Sequence, residues 1–391
     1  MTAYSLRELS IVSWELRAAI VGLIVLLLAA SRLWLHRPVV RWSARVFCLP
    51  LAVLFVAATV NAHYYYFPTL GALLGRNAAD QVSAAGFQQM QSQLTPLLGA
   101  RGRARTSHPV SMPDHGIVVA FRMPGTVSHF DPRVGEVYLP PIWFRLPHPR
   151  LPVIELLHGS PGSPADWTRG SGADLTADAY AQAHDGYAPI LVMPDVNGVS
   201  WWKDSECVDG PKGNAETYLR VDVRNAVARE FDASSEGADW GVAGLSEGGS
   251  CALQMGLRHP GDFRVVGDFS GDDHPWSTGG LGSLFFGSTH AQLVAAERAY
   301  DPRVLLANWH STHGPAIAFA VGRSDRLSPK IERLYETARR DHLDTTYATY
   351  PGGHEFHLWG RCLAGSFSWM VSFFHWSPPT AHHHVLLPPR G

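Results

Sequence analysis

The sequence predicts an α/β domain with a mostly parallel sheet flanked by helices, preceded by two transmembrane helices. Three observations lead to this prediction. From about residue 115 onward, short apolar runs alternate with stretches of helical periodicity. A serine between glycines, Ser246, stands between one such run and one such stretch. The first 70 residues contain two apolar segments, each near the length that crosses a bilayer.

Composition limits the classes of function. The chain has 391 residues and a formal net charge of -2, with 17% charged residues. This length exceeds one minimal domain and allows a well-buried core. Because there is no excess of basic residues, we do not expect nucleic acid to be a partner.

The two apolar segments run from about Ile11 to Leu35 and from Val46 to Ala62. Aromatic residues at 63–67 follow the second segment, as is typical of a membrane–water interface. The stretch between the segments is rich in arginine (Arg32, Arg37, Arg41 and Arg45). The positive-inside rule therefore predicts a multi-pass protein of the cell membrane, with its C-terminal domain on the extracytoplasmic side. The alternative is a cleaved signal peptide followed by a buried helix.

Four regions follow from this pattern. We assign residues 1–67 to a two-helix membrane anchor, 68–114 to a stalk or linker, 115–376 to the α/β domain and 377–391 to a disordered tail. Helices are predicted at 249–259 and from 328 to about 343. Eight strands are predicted in the α/β domain, at 116–121, 135–139, 151–157, 189–193, 240–243, 263–269, 315–321 and 345–350.

The segment from Gly244 to Gly248, Gly-Leu-Ser-Glu-Gly, has the form of a nucleophile elbow. Glycines two residues before and two after Ser246 let a sharp strand-to-helix turn close without steric conflict. The first N–H groups of the following helix have no partner within that helix, so they can stabilise negative charge beside the serine. We therefore predict Ser246 as a nucleophile.

A serine hydroxyl needs a base to take its proton, and the base needs an acid to orient it. In α/β-hydrolases the three residues follow in the order serine, acid, histidine. Asp325 comes directly after the predicted strand 315–321, and His354 follows the next strand and two glycines. Asp325 could instead cap the following helix, and His357 is the alternative base. Glu332 and Asp341 are weaker candidates for the acid because both fall on a predicted helix.

An oxyanion hole requires two N–H donors. The first is expected from Glu247, the residue after the nucleophile. The second is expected from the loop 158–162, His-Gly-Ser-Pro-Gly, which follows an inner strand. Pro161 has no N–H, so Ser160 is the candidate donor. The alternative interpretation of this loop is an ordinary glycine turn.

The cysteines and two further motifs complete the candidate features. We predict a disulfide between Cys207 and Cys251, because an extracytoplasmic domain can keep one. No cysteine pair has the spacing of metal ligands, and we expect neither metal nor cofactor. The run Asp272-Asp273-His274 is interpreted as a polar loop rather than a metal site. The glycine-rich stretch 277–288 is a mobile lid, a wall that binds the acyl chain, or a plain surface loop.

The ordered set of motifs resembles the putative-esterase group of α/β-hydrolases, which includes esterase D and the mycolyltransferases. The motifs occupy residues 137–141, 155–159, 244–248 and 353–354, followed by Trp359. The resemblance covers roughly residues 115–375 and implies the α/β-hydrolase fold. It also implies an acyl-enzyme mechanism using the triad Ser246, Asp325 and His354, with backbone donors at Ser160 and Glu247.

The resemblance further implies that Trp201 and Trp202 bind substrate, since they fall in a stretch similar to the loop that lines the mycolyltransferase groove. Two positions differ from the mycolyltransferases, which usually have an apolar residue at Glu247 and a glutamate as triad acid at Asp325. A carboxylate beside the nucleophile repels anionic substrates unless it is hydrogen-bonded or turned away.

These inferences predict a membrane-anchored serine esterase or acyltransferase that acts outside the cytoplasm on lipid or glycan esters. Hydrolysis and transfer use the same residues up to the last step, so the sequence does not separate them. The alternative function is a non-catalytic binding or scaffold protein of the cell envelope with a hydrolase fold.

Overall fold

The computed structural model describes residues 9–33, 38–74, 80–83, 85–89, 113–145, 149–199, 204–311 and 313–375. The chain divides into two compact units. The smaller unit consists mainly of residues up to Asn77, and the larger one contains the sheet. The predicted disordered tail at 377–391 lies outside the described residues.

Two long helices that pack against each other, α1 (Trp14–Leu33) and α2 (Pro38–Tyr64), form the N-terminal unit. Both are long and apolar enough to cross a membrane, the second over Val46–Tyr64. Polar side chains within them are satisfied locally, since the hydroxyl of Thr59 donates to the Phe55 carbonyl at 2.7 Å. The two predicted apolar segments are therefore candidate membrane-spanning helices.

At the C-terminal end of α2, the side chain of Asn61 forms hydrogen bonds with the backbone that follows the helix. The side-chain amide of Asn61 donates to the carbonyl of Phe67 at 2.9 Å, and the N–H of Phe67 donates back to Asn61 Oδ1 at 2.8 Å. A short helix, α3 (Leu70–Leu73), follows. The hydroxyl of Thr69 caps it by accepting from the Ala72 N–H at 3.2 Å.

The larger unit contains eleven strands among its described residues. They are β1 (Asp80–Val82), β2 (Ile117–Phe121), β3 (Gly135–Leu139), β4 (Val153–Leu157), β5 (Ile190–Met193), β6 (Asp209–Gly210), β7 (Gly213–Asn214), β8 (Trp240–Leu245), β9 (Val265–Phe269), β10 (Ala316–Gly322) and β11 (Thr345–Tyr350). Nine of them form the central sheet, in the order β1-β2-β3-β5-β4-β8-β9-β10-β11. All neighbouring pairs in this sheet are parallel except β2–β3 and β3–β5. Strands β6 and β7 form a separate two-stranded sheet.

The eight predicted strands of the α/β domain are all present in this sheet, and the predicted fold class is confirmed. The inner strands β4, β5, β8, β9 and β10 are buried along their whole length. This burial explains their continuous apolar runs, because a parallel strand covered on both faces has no polar side.

One strand, β1, was not predicted from the sequence. Asp80–Val82 lies within the stretch assigned to a stalk or linker, yet it pairs in parallel with β2. Phe87 is only 2% exposed and packs in the core of the sheet domain. This part of the assigned linker therefore belongs to the folded domain. Three residues are too few to show an alternation of polar and apolar side chains, which is why the pattern gave no signal.

Helices flank the sheet and connect its strands. The helix after β8 was predicted at 249–259 and begins two residues earlier, at Glu247, while the one after β10 begins at Ser328, as predicted. The helices are α4 (Ala173–Ala183), α5 (Ala215–Thr217), α6 (Arg224–Phe231), α7 (Glu247–Arg258), α8 (His290–Arg298), α9 (Pro302–Ala307), α10 (Ser328–Arg340) and α11 (Phe356–Val371). Because β4, β8, β9, β10 and β11 run in the same direction, the loops after them emerge at one edge of the sheet.

Candidate active site

Ser246 occupies a sharp turn between β8 and α7. Its backbone has φ 54° and ψ -124°, a conformation that non-glycine residues rarely adopt. The N–H of Ser246 donates to the carbonyl of Phe269 at the end of β9, at 3.0 Å. Glycine is required at Gly248, where a Cβ would lie 2.1 Å from the Leu157 carbonyl oxygen. These contacts fix the strained turn and present the serine at the edge of the sheet.

His354 connects the serine to a carboxylate. Its Nε2 lies 2.9 Å from Ser246 Oγ, and its Nδ1 lies 2.9 Å from Asp325 Oδ2. The edge of the Trp359 ring packs against the imidazole, with ring centroids 4.9 Å apart. The structure thus brings three residues from three different loops into one hydrogen-bonded chain.

The carboxylate of Asp325 is fixed at both oxygens. Oδ1 accepts the Leu327 N–H at 2.9 Å while Oδ2 faces His354, and the residue is 5% exposed. Burial alone would raise the pKa of Asp325, but the hydrogen bonds from His354 and the Leu327 N–H outweigh it and lower the pKa. Asp325 therefore stays ionised and can orient the imidazole. His357, the alternative base, lies on α11.

The loop that follows β4 lies beside the serine. A Cβ placed on Gly159 would approach the Ser246 Cβ to 3.1 Å and the Leu245 carbonyl oxygen to 3.2 Å. Ser160 is the next residue in this loop and is half-buried. The loop is therefore adjacent to the nucleophile, where a second oxyanion donor is needed.

A buried network that the sequence analysis missed supports this loop. His158 is fully buried, and its Nδ1–H donates to the Gly159 carbonyl at 2.8 Å. Its Nε2 lies 3.2 Å from Oδ1 of Asp195, which follows β5 and also accepts from the guanidinium of Arg133 at 2.5 Å. Burial alone would raise the pKa of Asp195, but contacts with His158 and Arg133 lower it to about 2. The only sequence signal was an acidic residue directly after a buried strand.

The side chain of Glu247, at the start of α7, is turned into the protein and hydrogen-bonded. Its Oε2 accepts from Asn197 Nδ2 at 2.8 Å and its Oε1 accepts the Glu206 N–H at 3.0 Å. Burial, followed by the negative charge of the neighbouring Asp204 and Glu206, raises the pKa of Glu247 well above its ordinary value. The carboxyl group therefore does not project toward a substrate bound at the nucleophile.

Cys207 and Cys251 are bonded to each other, with 2.06 Å between the sulfur atoms. The bond ties the loop after β5 to helix α7, which also carries Glu247. Trp201 and Trp202, predicted to bind substrate, lie outside the described residues.

The cluster Asp272-Asp273-His274 is balanced by neighbouring cations. The ammonium of Lys330 lies 2.6 Å from an oxygen of Asp272 and 3.1 Å from one of Asp273, while His274 Nδ1 lies 2.7 Å from Asp273. The three side chains have ligand atoms within 4.8 Å of one another, and these contacts with Lys330 occupy part of that group. In the nearby stretch 277–288, Leu284 and Phe285 are buried while Phe286 is 71% exposed.

A family model described as Putative esterase matches residues 131–370 of the chain, which is more than half of it. The chain belongs to this esterase family. The match includes the elbow, the loop after β4, and both Asp325 and His354. The two N-terminal helices lie before the matched residues.

Individual proteins are similar to the chain in sequence or in fold. An uncharacterized protein of Corynebacterium glutamicum is 30% identical over 334 residues, covering 82% of this chain and 74% of the relative. A ferulic acid esterase shares the fold with TM-score 0.58 at 18% identity, covering 66% of this chain and 99% of its own. The fluorophosphonate-binding serine hydrolase F of Staphylococcus aureus also shares the fold, with a TM-score of 0.54 and 19% identity. The alignment covers 66% of this chain and 99% of the hydrolase.

The esterase is accordingly a carboxylic-ester hydrolase or acyltransferase of the α/β-hydrolase type. Its fold is the one that the resemblance implied, with an added pair of candidate membrane-spanning helices.

Proposed function

We propose that this esterase is a membrane-anchored serine esterase or acyltransferase in which Ser246, His354 and Asp325 form the catalytic triad. The observation that carries the proposal is the position of His354, whose two ring nitrogens each lie 2.9 Å from one of the other two side chains. A neutral imidazole in this position accepts a proton from the serine while its other nitrogen donates to the carboxylate.

In the first half of the reaction, Ser246 Oγ attacks the carbonyl carbon of the ester and its proton passes to His354 Nε2. The carbonyl electrons move to oxygen, and backbone N–H groups of Ser160 and Glu247 stabilise the resulting oxyanion. When the carbonyl re-forms, the bond to the alcohol oxygen breaks and the alcohol leaves with the proton from His354. The acyl group stays on Ser246.

In the second half, water or a hydroxyl group of a lipid or glycan attacks the acyl-enzyme. His354 takes the proton of the attacking O–H group and returns it to Ser246 as the new acid or ester leaves. Water gives hydrolysis and another alcohol gives acyl transfer.

Helices α1 and α2 anchor the enzyme in the cell membrane, and the catalytic domain faces the extracytoplasmic side. Support comes from the apolar length of both helices and from the four arginines between the apolar segments. The Cys207–Cys251 disulfide supports an extracytoplasmic location for the catalytic domain, because disulfides persist in oxidising compartments. At this location, lipid and glycan esters of the envelope are the available substrates.

Ester hydrolysis by a serine variant tests the catalytic proposal. The full-length protein in detergent is assayed with p-nitrophenyl esters, and Ser246→Ala is compared with Ser235→Ala, a control at an exposed serine before β8. We expect Ser246→Ala to lower kcat by at least about 10⁴-fold and Ser235→Ala to leave it unchanged. Substantial hydrolysis by folded Ser246→Ala would contradict the triad.

Thiol labelling of intact cells tests the orientation. One cysteine at a time is introduced, at Ser288 in the sheet domain or at Val39 at the start of α2, in a background that lacks both free cysteines, Cys48 and Cys362. A membrane-impermeant maleimide should label the cysteine at position 288 in intact cells, and the one at position 39 only after permeabilisation. The reverse pattern would contradict the proposed orientation without bearing on the triad.

A further inference from the structure

A buried turn that directly follows β5 contacts both halves of the proposed oxyanion hole. The turn consists of Asp195, Val196 and Asn197, and all three residues are fully buried. One half of the hole is the N–H of Glu247 at the start of α7, and the other half is the loop after β4. The turn therefore connects two elements whose separation determines whether both donors reach the same oxygen atom.

Asn197 connects the turn to the nucleophile elbow. Its Nδ2 donates to Glu247 Oε2 at 2.8 Å, and its Oδ1 accepts the Ser205 N–H at 2.8 Å. Because a backbone N–H can only donate, the Ser205 contact fixes the oxygen of this amide and leaves its NH₂ group facing Glu247. The other carboxyl oxygen of Glu247, Oε1, accepts the Glu206 N–H at 3.0 Å. N–H donors therefore hold both carboxyl oxygens of the residue after the nucleophile.

Asp195 connects the same turn to the loop after β4. Its Oδ1 accepts the Asn197 N–H at 3.2 Å and lies 3.2 Å from Nε2 of His158. The other ring nitrogen of His158, Nδ1, donates to the carbonyl of Gly159 at 2.8 Å, and Gly159 directly precedes the candidate oxyanion donor. The elbow and the loop after β4 are therefore connected to each other through one buried turn.

We propose that Asn197 is a positioning residue of the oxyanion hole, which holds Glu247 at a fixed distance from the loop after β4. The proposal rests on the proposed triad and oxyanion hole. The side chain that Asn197 holds and the N–H that would stabilise the oxyanion belong to the same residue, Glu247. This N–H cannot move away from the loop without breaking a buried hydrogen bond, which is costly because it leaves a buried polar group without a partner.

The kinetic consequence of this role differs from that of a residue that only stabilises the fold. An oxyanion forms twice in the cycle, when Ser246 attacks the ester and when water or an alcohol attacks the acyl-enzyme. A displaced donor therefore slows acylation and deacylation together. KM changes little, because the carbonyl oxygen of the bound ester has not yet become an oxyanion. A residue that only stabilises the fold would lower the unfolding temperature and leave kcat of the folded enzyme unchanged.

Reversing donor and acceptor in the contact between Asn197 and Glu247 tests the proposal. In Asn197→Asp the new carboxylate still accepts the Ser205 N–H, but an oxygen replaces the NH₂ group that faces Glu247. In Glu247→Gln an NH₂ group replaces one carboxyl oxygen and meets the N–H donor of Asn197 or of Glu206. We expect each single variant to lower kcat by about 10- to 100-fold, with KM changed by less than about threefold.

The double variant should recover activity. When Asn197→Asp and Glu247→Gln are combined, the amide introduced at position 247 donates to the carboxylate introduced at position 197. The contacts with the N–H groups of Ser205 and Glu206 are retained, so every hydrogen bond is again satisfied. We expect kcat of the double variant to exceed that of either single variant by at least about fivefold. Asn225→Asp, at an exposed position on α6, is the control and should leave kcat unchanged.

All variants are made in the full-length protein and assayed with a p-nitrophenyl ester. The value of kcat/KM reports acylation, and decay of the acyl-enzyme followed by mass spectrometry reports deacylation. Both rates should fall in Asn197→Asp. Thermal unfolding is measured in parallel, and if Asn197→Asp does not fold, the comparison of Glu247→Gln with the double variant decides alone.

Full kcat in folded Asn197→Asp would overturn the proposal, as would a double variant that is no more active than Glu247→Gln. A Ser246→Ala sample in the same assay distinguishes this failure from that of the proposed function. Activity in that sample contradicts the triad, whereas its loss combined with an unrecovered double variant contradicts only the positioning role.

Discussion

Nδ1 of His354 lies 2.9 Å from Oδ2 of Asp325, and Oδ1 of the same carboxylate accepts the Leu327 N–H. The ring is thus held in the tautomer that leaves Nε2 free to accept the serine proton. In Asp325→Asn the amide can favour the wrong tautomer, so we expect kcat to fall by about 10⁴-fold. Steady-state hydrolysis of a p-nitrophenyl ester measures this loss.

Two comparisons make this prediction specific. Asp341→Asn, at the end of α10, should leave kcat unchanged. In a Ser246→Ala background, Asp325→Asn should have little further effect, because residues that act as a unit are not additive. Independent losses in the double variant would mean that Asp325 does not act through the triad.

The close approach of the loop after β4 to the elbow gives a second prediction. In Gly159→Ala the added methyl group meets Ser246 Cβ at 3.1 Å, so the loop or the elbow must shift by a few tenths of an ångström. We expect kcat to fall between about 10- and 100-fold, since a small misplacement of the oxyanion donors has a large effect. Gly261→Ala is the matched control because its Cβ meets no atom within 4 Å. Equal kcat in the two variants would argue against an oxyanion role for this loop.

A third prediction concerns stability and pH. Glu155 on β4 is fully buried, and neither of its carboxyl oxygens has a hydrogen-bond partner among the described residues. Burial raises the pKa of Glu155 from 4.5 to about 8, despite the opposing charge of Arg224. The folded protein therefore binds this proton more tightly than the unfolded chain. Its contribution to stability is complete below pH 4.5 and is lost progressively as the pH rises to about 8.

Glu155→Gln cannot lose this proton. Relative to wild type, its free energy of unfolding should therefore increase between pH 5 and pH 8.5, by up to about 1.4 kcal/mol for each pH unit in the affected range. Urea denaturation at both pH values measures the difference, and Glu236→Gln at an exposed site is the control. A constant difference between Glu155→Gln and wild type would show that Glu155 does not titrate in this range.

A fourth prediction concerns the fate of the acyl group. With p-nitrophenyl esters of graded chain length, nitrophenol release measures acylation, and the recovered products show whether water or an alcohol resolved the intermediate. If the enzyme is an acyltransferase, added glycerol or trehalose should appear as its acyl ester at the expense of free acid. If only free acid forms at a high concentration of glycerol or trehalose, the enzyme does not transfer the acyl group to these two alcohols and acts as a hydrolase in their presence.

The sequence was sufficient to predict that Ser246, Asp325 and His354 lie together, because the order of strands places their loops at one edge of the sheet. The eight long strands were also predictable, since their apolar runs are distinct. In contrast, β1 has only three residues, and its pairing with β2 depends on tertiary contacts rather than on a local pattern.

The supporting contacts were harder to foresee for a physical reason. Arg133 precedes β3 and Asp195 follows β5, and the two residues belong to no common motif, so their pairing appears only once these antiparallel strands are side by side. The same holds for Asn197 and Asp204 around Glu247. The sequence showed an unusual glutamate after the nucleophile, but the folding of the loop determines whether that carboxyl group faces solvent or a hydrogen-bond partner.

Covalent labelling tests the central claim most directly. The full-length protein is treated with a fluorophosphonate, and peptide mass spectrometry locates the adduct. We predict one adduct, on Ser246, that is absent in Ser246→Ala and strongly slowed in His354→Ala. An adduct on another residue, or unchanged labelling of Ser246→Ala, would contradict the account.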